Sequence, residues 1–379
     1  MDLICFSHIR WNFVYQRPQH LLNRFAIYKR VFVIEEPCFD SDRNFYTIKK
    51  DSEERNLWVV EINISKDILH ENRISMIQSL LASMFFENDI KNYIFWYYSP
   101  MALEYSHQLT PDLIIYDCMD ELSAFKFAPP ELKQKEKELL EIADLVFTGG
   151  HSLFQAKKHL HHNIHPFPSS IDKGHFVKAR NITIDPHDQA GIPHPRFGFY
   201  GVIDERFHIS MIDELASLKP DWHFVLVGPV IKIDEASLPR KQNIHYLGGK
   251  TYDELPHYLS GWDVAMLPFA LNESTKYISP TKTPEYLAGG KPVISTSITD
   301  VVNPYGELGL VHIADDAESF IKAAENIFND TNNVGWRKKV DKYLSGISWN
   351  DTWHQMSELI DKALDKKFIK NNLKKKQYV

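Results

Sequence analysis

Short apolar runs alternate with helical patterns along most of this chain, and no other feature limits its fold as strongly. Such alternation is typical of β–α–β units, in which helices cover a parallel sheet. In the first half, strands are predicted at 3–7, 31–35, 57–62, 93–98, 113–117, 145–148 and 165–168. Helices are predicted between them at 18–28, 72–88, 101–108, 130–143 and 152–161. The chain is therefore predicted to be an α/β protein.

The alternation is interrupted once, over 180–195, where Pro186, Gly191, Pro193 and Pro195 stand among few apolar residues. This composition predicts a linker between domains. A second series follows, with strands predicted at 196–200, 222–227, 244–247, 264–267, 292–295 and 310–313, and helices at 209–218, 252–259, 280–288 and 317–328. The length of 379 residues also exceeds what one hydrophobic core usually supports.

We therefore predict an N-terminal Rossmann-like domain over 1–180, a linker over 181–195 and a second Rossmann-like domain over 196–345. A closing helix over 346–366 and a basic tail over 367–379 follow. Loops at the carboxyl ends of parallel strands are where such sheets bind ligands. The cleft between the two domains is the expected site.

The charge and cysteine content exclude several classes of protein. A net charge of −7 and a pI of about 6.2 argue against nucleic-acid binding. Cys5, Cys38 and Cys118 are few and widely spaced, which favours neither a disulfide framework nor a zinc site. No apolar run reaches the ~18 residues of a membrane span. These features predict a cytoplasmic protein.

The segment 279–294, SPTKTPEYLAGGKPVI, carries the strongest functional signal. It predicts a helix capped by Ser279 or Thr281, with Pro280 or Pro284 in its first turn. A helix start suits a diphosphate, and Lys282 beside it makes sense next to an anionic ligand. Glu285 could accept hydrogen bonds from ribose hydroxyls. The alternatives are a solvated Lys282 and a Glu285 that only complements the helix dipole.

Two further segments precede this helix. A strand ends at Gly201 and is followed by a loop with Asp204 and Arg206, and arginine suits phosphate recognition. Alternatively, Arg206 pairs with a neighbouring acidic residue. Farther along, a strand ends in the sequence Leu247-Gly248-Gly249, where a ligand such as a nucleobase could approach the backbone. A plain turn is the alternative for the two glycines.

These three segments, in this order, resemble the C-terminal half of GT-B glycosyltransferases, especially retaining enzymes of glycosyltransferase family 4. The resemblance implies two Rossmann-like α/β/α domains facing across a cleft, with the C-terminal helix crossing back to the first domain. It places Arg206 and Lys282 on the donor diphosphate and Glu285 on the ribose. The base lies near 247–249, and Gly201, Ser279, Pro280 and Thr281 belong to the same donor site.

The segment 11–22, WNFVYQRPQHLL, is too polar and aromatic for a simple connection. It resembles the start of a subgroup of bacterial cell-surface polysaccharide transferases, which implies that Arg17, Gln19 and His20 contact acceptor or donor sugar. The alternative is that Trp11, Phe13 and Tyr15 pack and Arg17 caps locally.

Three polar residues follow later strands of the first half. Asp117 and Asp120 stand at the end of one strand, where carboxylates suit sugar hydroxyls, and Asp120 is the candidate for a catalytic role. Asp120 could instead cap the next helix. His151 follows another strand and is a candidate sugar ligand, beside Ser152, a predicted helix cap.

The resemblance implies transfer of a hexose from a nucleotide diphosphate sugar, with UDP as the expected nucleotide and retention of configuration. The acceptor would be a glycan or lipid-linked glycan of a bacterial surface polysaccharide. No metal and no cofactor are expected, since fixed cations can stabilise the leaving diphosphate. Two alternatives are a GT-B nucleotide-sugar epimerase and a non-catalytic assembly partner.

The C-terminus is strongly basic, with lysines at Lys366, Lys367, Lys370, Lys374, Lys375 and Lys376. A solvated end is one interpretation. The other is a loose, peripheral contact with the inner face of the plasma membrane, which gains weight if the acceptor is a lipid.

Overall fold

The computed structural model describes residues 1–330 and 333–377 and contains two sheets. The first has nine strands in the order β3-β5-β2-β1-β6-β7-β8-β9, with β4 paired to β5. The strands are β1 Asp2–Ser7, β2 Val31–Glu35, β3 Cys38–Ser41, β4 Phe45–Lys50, β5 Leu57–Ser65, β6 Tyr93–Tyr97, β7 Leu113–Cys118, β8 Leu145–Thr148 and β9 Ile164–Pro166. The helices are α1 Arg17–Phe25, α2 Arg73–Glu87, α3 Leu103–Ser106, α4 Leu132–Ile142 and α5 His151–Lys157.

The second sheet has six strands in the order β12-β11-β10-β13-β14-β15. They are β10 Arg196–Tyr200, β11 His223–Val227, β12 Ile244–Gly248, β13 Val264–Leu267, β14 Val293–Ser295 and β15 His312–Ile313. The helices are α6 Lys173–Phe176, α7 His187–Ala190, α8 Ile209–Leu218, α9 Leu255–Ser260, α10 Lys282–Ala288, α11 Thr299–Val301, α12 Ala317–Asn329, α13 Asn333–Leu344 and α14 Trp349–Gln377. Each pair of neighbouring strands in this sheet is parallel.

The central strands are buried on both faces, as all of β1 and β10 illustrate. Helices therefore cover both sides of each sheet, which is the layering that the strand–helix alternation predicts. In the first sheet only β4 runs antiparallel to its partner among the reported pairs. Because all the other pairs are parallel, the carboxyl ends of the strands meet at one edge of each sheet.

The first passage between the domains comes earlier than predicted. Ile171, Phe176 and Ala179 pack in the core of the second domain, although the sequence places them before the predicted linker at 181–195. Ile192, inside that predicted linker, belongs to the same core. Residues 171–195 therefore form the first layer of the C-terminal domain, and the passage lies just before them.

The second passage lies between α13 and α14. Val340 and Leu344 pack in the C-terminal core, whereas Trp349, Met356 and Ile360 pack in the N-terminal core. This confirms that the closing helix crosses back. The helix continues to Gln377, so the predicted end at residue 366 is corrected, and much of the predicted basic tail is helical. Its last two residues, 378–379, lie outside the described residues.

Candidate functional site

Loops at the facing edges of the two sheets enclose a cleft of about 870 Å³. Residues from both domains line it, as expected for a site at the carboxyl ends of parallel strands. The predicted site residues on its wall are Arg17, Gln19, Asp120, Gly201, Arg206, Gly249, Ser279, Pro280, Thr281, Lys282 and Glu285. Five other predicted site residues lie outside the wall that the described residues form: His20, Asp117, His151, Leu247 and Gly248.

Lys282, the first residue of α10, is a partly buried cation without a counter-ion. No described residue forms a hydrogen bond or ion pair with its Nζ, which lies 6.0 Å from the centre of the Phe199 ring. Burial lowers the pKa of this ammonium group. The negative charge of Glu285 raises the pKa, and the positive charge of Arg206 lowers it further. A desolvated cation held in this way is arranged to receive an anion.

Gly201 forms the seat for the Lys282 side chain. Its φ is +142°, and a Cβ built on it would lie 2.2 Å from Cε and 2.9 Å from Nζ of Lys282. The neighbouring strand end has a similar requirement, since a Cβ on Gly228 would lie 1.8 Å from the carbonyl oxygen of Gly201. Gly201 thus leaves the room in which the lysine lies, and Gly228 allows the two strand ends to approach each other closely.

Arg206 faces the same part of the cleft but is held by Asp204. Its Nη2 lies 2.6 Å from Oδ2 of Asp204, and its Nε lies 3.1 Å from both carboxylate oxygens. The ring of Phe125, from the other domain, lies 5.0 Å from the guanidinium carbon. The alternative of pairing with a neighbouring acid is therefore realised, and this pairing also fixes the guanidinium at the cleft wall.

Asp120 brings a carboxylate to the opposite wall, just after β7. Its side chain has no hydrogen-bond or ion-pair partner among the described residues, so it does not cap the next helix. Burial raises its pKa to about 6, while Arg206, Arg17 and Lys282 act in the opposite direction. An unpaired carboxylate thus faces two cations across the cleft.

Glu285, on α10, is 6% exposed and accepts a hydrogen bond from the Tyr200 hydroxyl at 2.7 Å. Burial raises its pKa to about 7, against the effects of Tyr200 and Lys282. Its second carboxylate oxygen has no hydrogen-bond partner in the described part of the chain. That oxygen is free for a ligand hydroxyl.

Replacing Glu285 with Gln is expected to stabilise the ligand-free protein at pH 8 but not at pH 5. The native carboxyl has a pKa of about 7, compared with 4.5 for an unperturbed glutamate. The unfolded chain therefore loses this proton first, and stability falls as the pH rises from 4.5 to 7. Glutamine keeps an acceptor for Tyr200 and should raise the free energy of unfolding at pH 8 by roughly 1–3 kcal/mol.

Urea unfolding at both pH values measures this effect, with Glu71→Gln, an exposed carboxylate on a short turn, as the matched control. An equal change for Glu285→Gln at pH 5 and pH 8 would contradict the burial of a charge at this position.

The start of α10 differs in detail from the prediction. Neither Ser279 nor Thr281 caps the helix with its side chain. The Ser279 hydroxyl instead accepts a hydrogen bond from the backbone N–H of Ser169, in the other domain, at 3.3 Å. The segment before α10 is therefore fixed by the first domain as well as by its own helix.

Two of the predicted base-binding residues, Leu247 and Gly248, do not line the cleft. Leu247 packs against the C-terminal core, and the Gly248 carbonyl accepts a hydrogen bond from the Gly228 N–H at 2.8 Å. Gly248, the last residue of β12, has a φ of +70° with open space around it. Of the three, only Gly249 lines the cleft.

Arg17 and Asp117 form a buried ion pair with each other. Arg17 Nη2 lies 2.8 Å from Oδ1 of Asp117, its Nε lies 3.1 Å from Oδ2, and its Nη1 donates to the Phe167 carbonyl at 2.7 Å. Both residues are at most 4% exposed. Their predicted role in sugar binding is therefore corrected: Arg17 and Asp117 bind each other inside the protein, and the pair ties α1 to the end of β7.

Three other predicted sugar ligands also serve the framework, and two of them belong to α1. Gln19 donates to the Trp11 carbonyl at 2.7 Å and accepts from the Gln16 N–H at 3.0 Å. The buried His20 ring stacks on Trp349 of α14, with ring centres 4.6 Å apart. Burial lowers the pKa of His20, so the ring is neutral in the core.

The third, His151, begins α5 at the boundary of the two domains. Its backbone N–H and that of Ser152 donate to the two carboxylate oxygens of Asp300, each at 2.9 Å. Asp300 belongs to the C-terminal domain, so a carboxylate from one domain caps a helix of the other. Gly150, and not Ser152, is the cap residue of α5.

Several residues that line the cleft are not predicted from the sequence: His8, Phe125, Lys232 and Tyr252. His8 follows β1 directly, and this position at the carboxyl end of a central strand could have indicated it. Burial lowers its pKa to about 4, with Lys232 contributing. Phe125 and Lys232 come from different domains, and Nζ of Lys232 lies 5.4 Å from the centre of the Phe125 ring. Nothing in the sequence indicates this contact.

The described residues contain neither a cluster of metal ligands nor a membrane-spanning helix. No group of three or more His, Cys, Asp or Glu side chains in that part of the chain is arranged to hold a metal ion. No helix there combines the length and apolar character that crossing a bilayer requires.

Two parallel-sheet domains that face each other across a cleft, with a last helix returning to the first domain, define the GT-B architecture. Residues 194–330 match the family model described as Glycosyl transferases group 1. A curated relative is named "Putative teichuronic acid biosynthesis glycosyltransferase TuaH", from Bacillus subtilis (strain 168). It is 25% identical over 278 residues, which cover 69% of this chain and 70% of the relative.

Solved structures share the fold over nearly the whole chain. A sucrose-phosphate synthase from Thermosynechococcus elongatus has a TM-score of 0.69 at 15% identity, covering 96% of this chain and 99% of that one. Anabaena Alr3699/HepE in complex with UDP-glucose has a TM-score of 0.65 at 12% identity, covering 96% and 100%. The chain is a glycosyltransferase with the GT-B fold.

Proposed function

We propose that this chain transfers a hexose from a UDP-sugar, with retention of configuration, to a glycan or lipid-linked glycan of a bacterial surface polysaccharide. The observation that carries the proposal is the cation Lys282, partly buried beside Arg206 and without a counter-ion among the described residues. Such a site suits two linked phosphates. The UDP-glucose complex of a structural neighbour and the name of the Bacillus relative support the choice of donor and pathway.

The donor would lie along the C-terminal wall of the cleft. Its diphosphate would contact Lys282 and Arg206, and its ribose hydroxyls would donate to the free oxygen of Glu285. The base would lie toward Gly249. Asp120, on the opposite wall, would accept a hydrogen bond from a hydroxyl of the sugar, because its carboxylate has no other partner among the described residues.

The reaction then depends on stabilising the leaving group. The bond between the sugar C1 and the diphosphate oxygen breaks, and negative charge grows on the phosphate beside Lys282 and Arg206. A bond forms between C1 and the acceptor oxygen on the same face, and the acceptor proton passes to the departing phosphate. In this scheme fixed cations do what a metal ion would otherwise do, so we propose that the enzyme needs no metal and no cofactor.

The acceptor side determines the expected location. We propose that the enzyme works in the cytoplasm, at the inner face of the plasma membrane when its acceptor is lipid-linked. Lysines of the basic C-terminal sequence, such as Lys366 and Lys370, would then attract anionic headgroups, an effect of about 1 kcal/mol for each lysine near the surface.

A thermal-shift series with UDP, UDP-glucose, UDP-galactose, UDP-N-acetylglucosamine and GDP-mannose tests the donor. A ligand at about 100 times its Kd stabilises the folded state by about 2.7 kcal/mol. We expect stabilisation by UDP and by at least one UDP-hexose, and a smaller shift with GDP-mannose. No shift with any of the five compounds would refute the donor site.

The same donor, followed by NMR with and without acceptor, separates transfer from epimerisation. Transfer predicts that consumption depends on acceptor and that the product keeps the anomeric configuration of the donor. Consumption of equal rate without acceptor would indicate an epimerase instead.

A further inference from the structure

On the N-terminal wall of the cleft, the sugar-binding residues predicted from α1 are not available to a sugar. Arg17 and Gln19 line the cleft, but their polar atoms are engaged within the protein. The short loop before α1, residues 12–15, is another part of this wall, and it also lines the cleft.

Trp11 anchors this loop at three points. Its backbone N–H donates to Glu35 at 2.7 Å, its indole N–H donates to Asp51 at 2.8 Å, and its carbonyl accepts from Gln19 at 2.7 Å. The Trp11 side chain is itself buried, at 5% exposure. The loop that follows is therefore held at its base by Glu35 at the end of β2, by Asp51 just after β4, and by Gln19 of α1.

Phe13 stands at the tip of this loop and is 43% exposed inside the cleft. Its backbone N–H donates to the Arg10 carbonyl at 3.1 Å, which closes a turn at the tip. No aromatic ring among the described residues contacts its ring. Tyr15 differs, because its ring stacks on Tyr252 with the centres 4.5 Å apart.

We propose that the Phe13 ring is the platform for the acceptor, and that it packs against the apolar face of a pyranose ring. An aromatic face held in place gains by covering C–H groups that would otherwise face water. The platform lies on the N-terminal wall, whereas Lys282 and Arg206 lie on the C-terminal wall of the same cleft. This inference rests on the proposed function, since it assigns the second substrate of the same reaction.

Two β-linked tetrasaccharides, cellotetraose and a hyaluronan tetrasaccharide, serve as probes on protein saturated with UDP. We expect at least one to bind, with saturation transfer strongest at the axial ring protons of one sugar. Phe13→Ala should weaken that binding about fivefold or more, whereas Phe13→Tyr should stay within about twofold of the native protein. Phe86→Ala removes a ring that is 88% exposed on α2, outside the cleft, and should change nothing.

The affinity for UDP, measured on the same variants, separates the two proposals. If the native protein does not bind UDP, the proposed function fails. If UDP binds but neither tetrasaccharide does, or if Phe13→Ala binds the probe as tightly as Phe86→Ala, the platform is refuted and the proposed function stands.

Discussion

Lys282→Met is expected to lower the turnover number for transfer by about 10²–10³-fold, since one preorganised charge contact contributes a few kcal/mol in the transition state. Methionine has a similar length and no charge. The variant should fold normally, because burial already lowers the pKa of this ammonium and an apolar side chain suits the position better. The loss should therefore appear in catalysis, with no fall in the melting temperature.

Initial rates at saturating UDP-hexose, together with thermal unfolding, measure both quantities. Lys276→Met is the matched control: this lysine lies in the loop just before α10, is exposed, and pairs only with nearby residues. A loss of less than threefold for Lys282→Met would remove the basis of the proposed function.

Gly201→Ala is expected to abolish most of the activity through Lys282, although the new methyl group reaches no substrate. The Cβ would collide with Cε of Lys282 at 2.2 Å, and the flexible lysine is what must move. A φ of +142° adds backbone strain, so the free energy of unfolding should also fall by about 1–3 kcal/mol. Displacement of the ammonium group should lower the rate by roughly the same factor as Lys282→Met.

The double variant tests this mechanism. If Gly201→Ala acts through the lysine, adding it to Lys282→Met should cost little further activity, because the two changes remove one interaction. Gly309→Ala is the control for strain alone, since this glycine has a φ of +65° and no neighbouring atom within 4 Å of the position that the new methyl group would take. Additive losses in the double variant would show that Gly201 has a separate role.

The sequence predicts the buried strands well because strands covered on both faces are continuous apolar runs, as in β2 and β8. It misses β3 and β4, which are half exposed and rich in polar residues, so that neither shows an apolar run. It also misses the early passage between the domains. Ile171 and Phe176 stand in a sequence typical of a connection, and their burial depends on core residues that come later in the chain.

Within the site, prediction succeeds where one local segment carries the signal, as for Lys282 and Glu285 on α10. It fails for contacts between distant segments. Arg17 and Asp117 are 100 residues apart, and nothing in the chain between them indicates that each neutralises the other. The same holds for His20, whose ring lies against α14, the last helix of the chain.

The chain passes between the domains at two places, once before Ile171 and once between α13 and α14. The two connections lie side by side, because the Trp349 N–H donates to the Ile171 carbonyl at 3.3 Å, and the line through them is a hinge axis between the domains. Rotation of the domains about that line is the movement that these connections permit most directly, and it would break or form the contact of Asp300 with α5. Entry of substrate and release of product would then both depend on this one rotation.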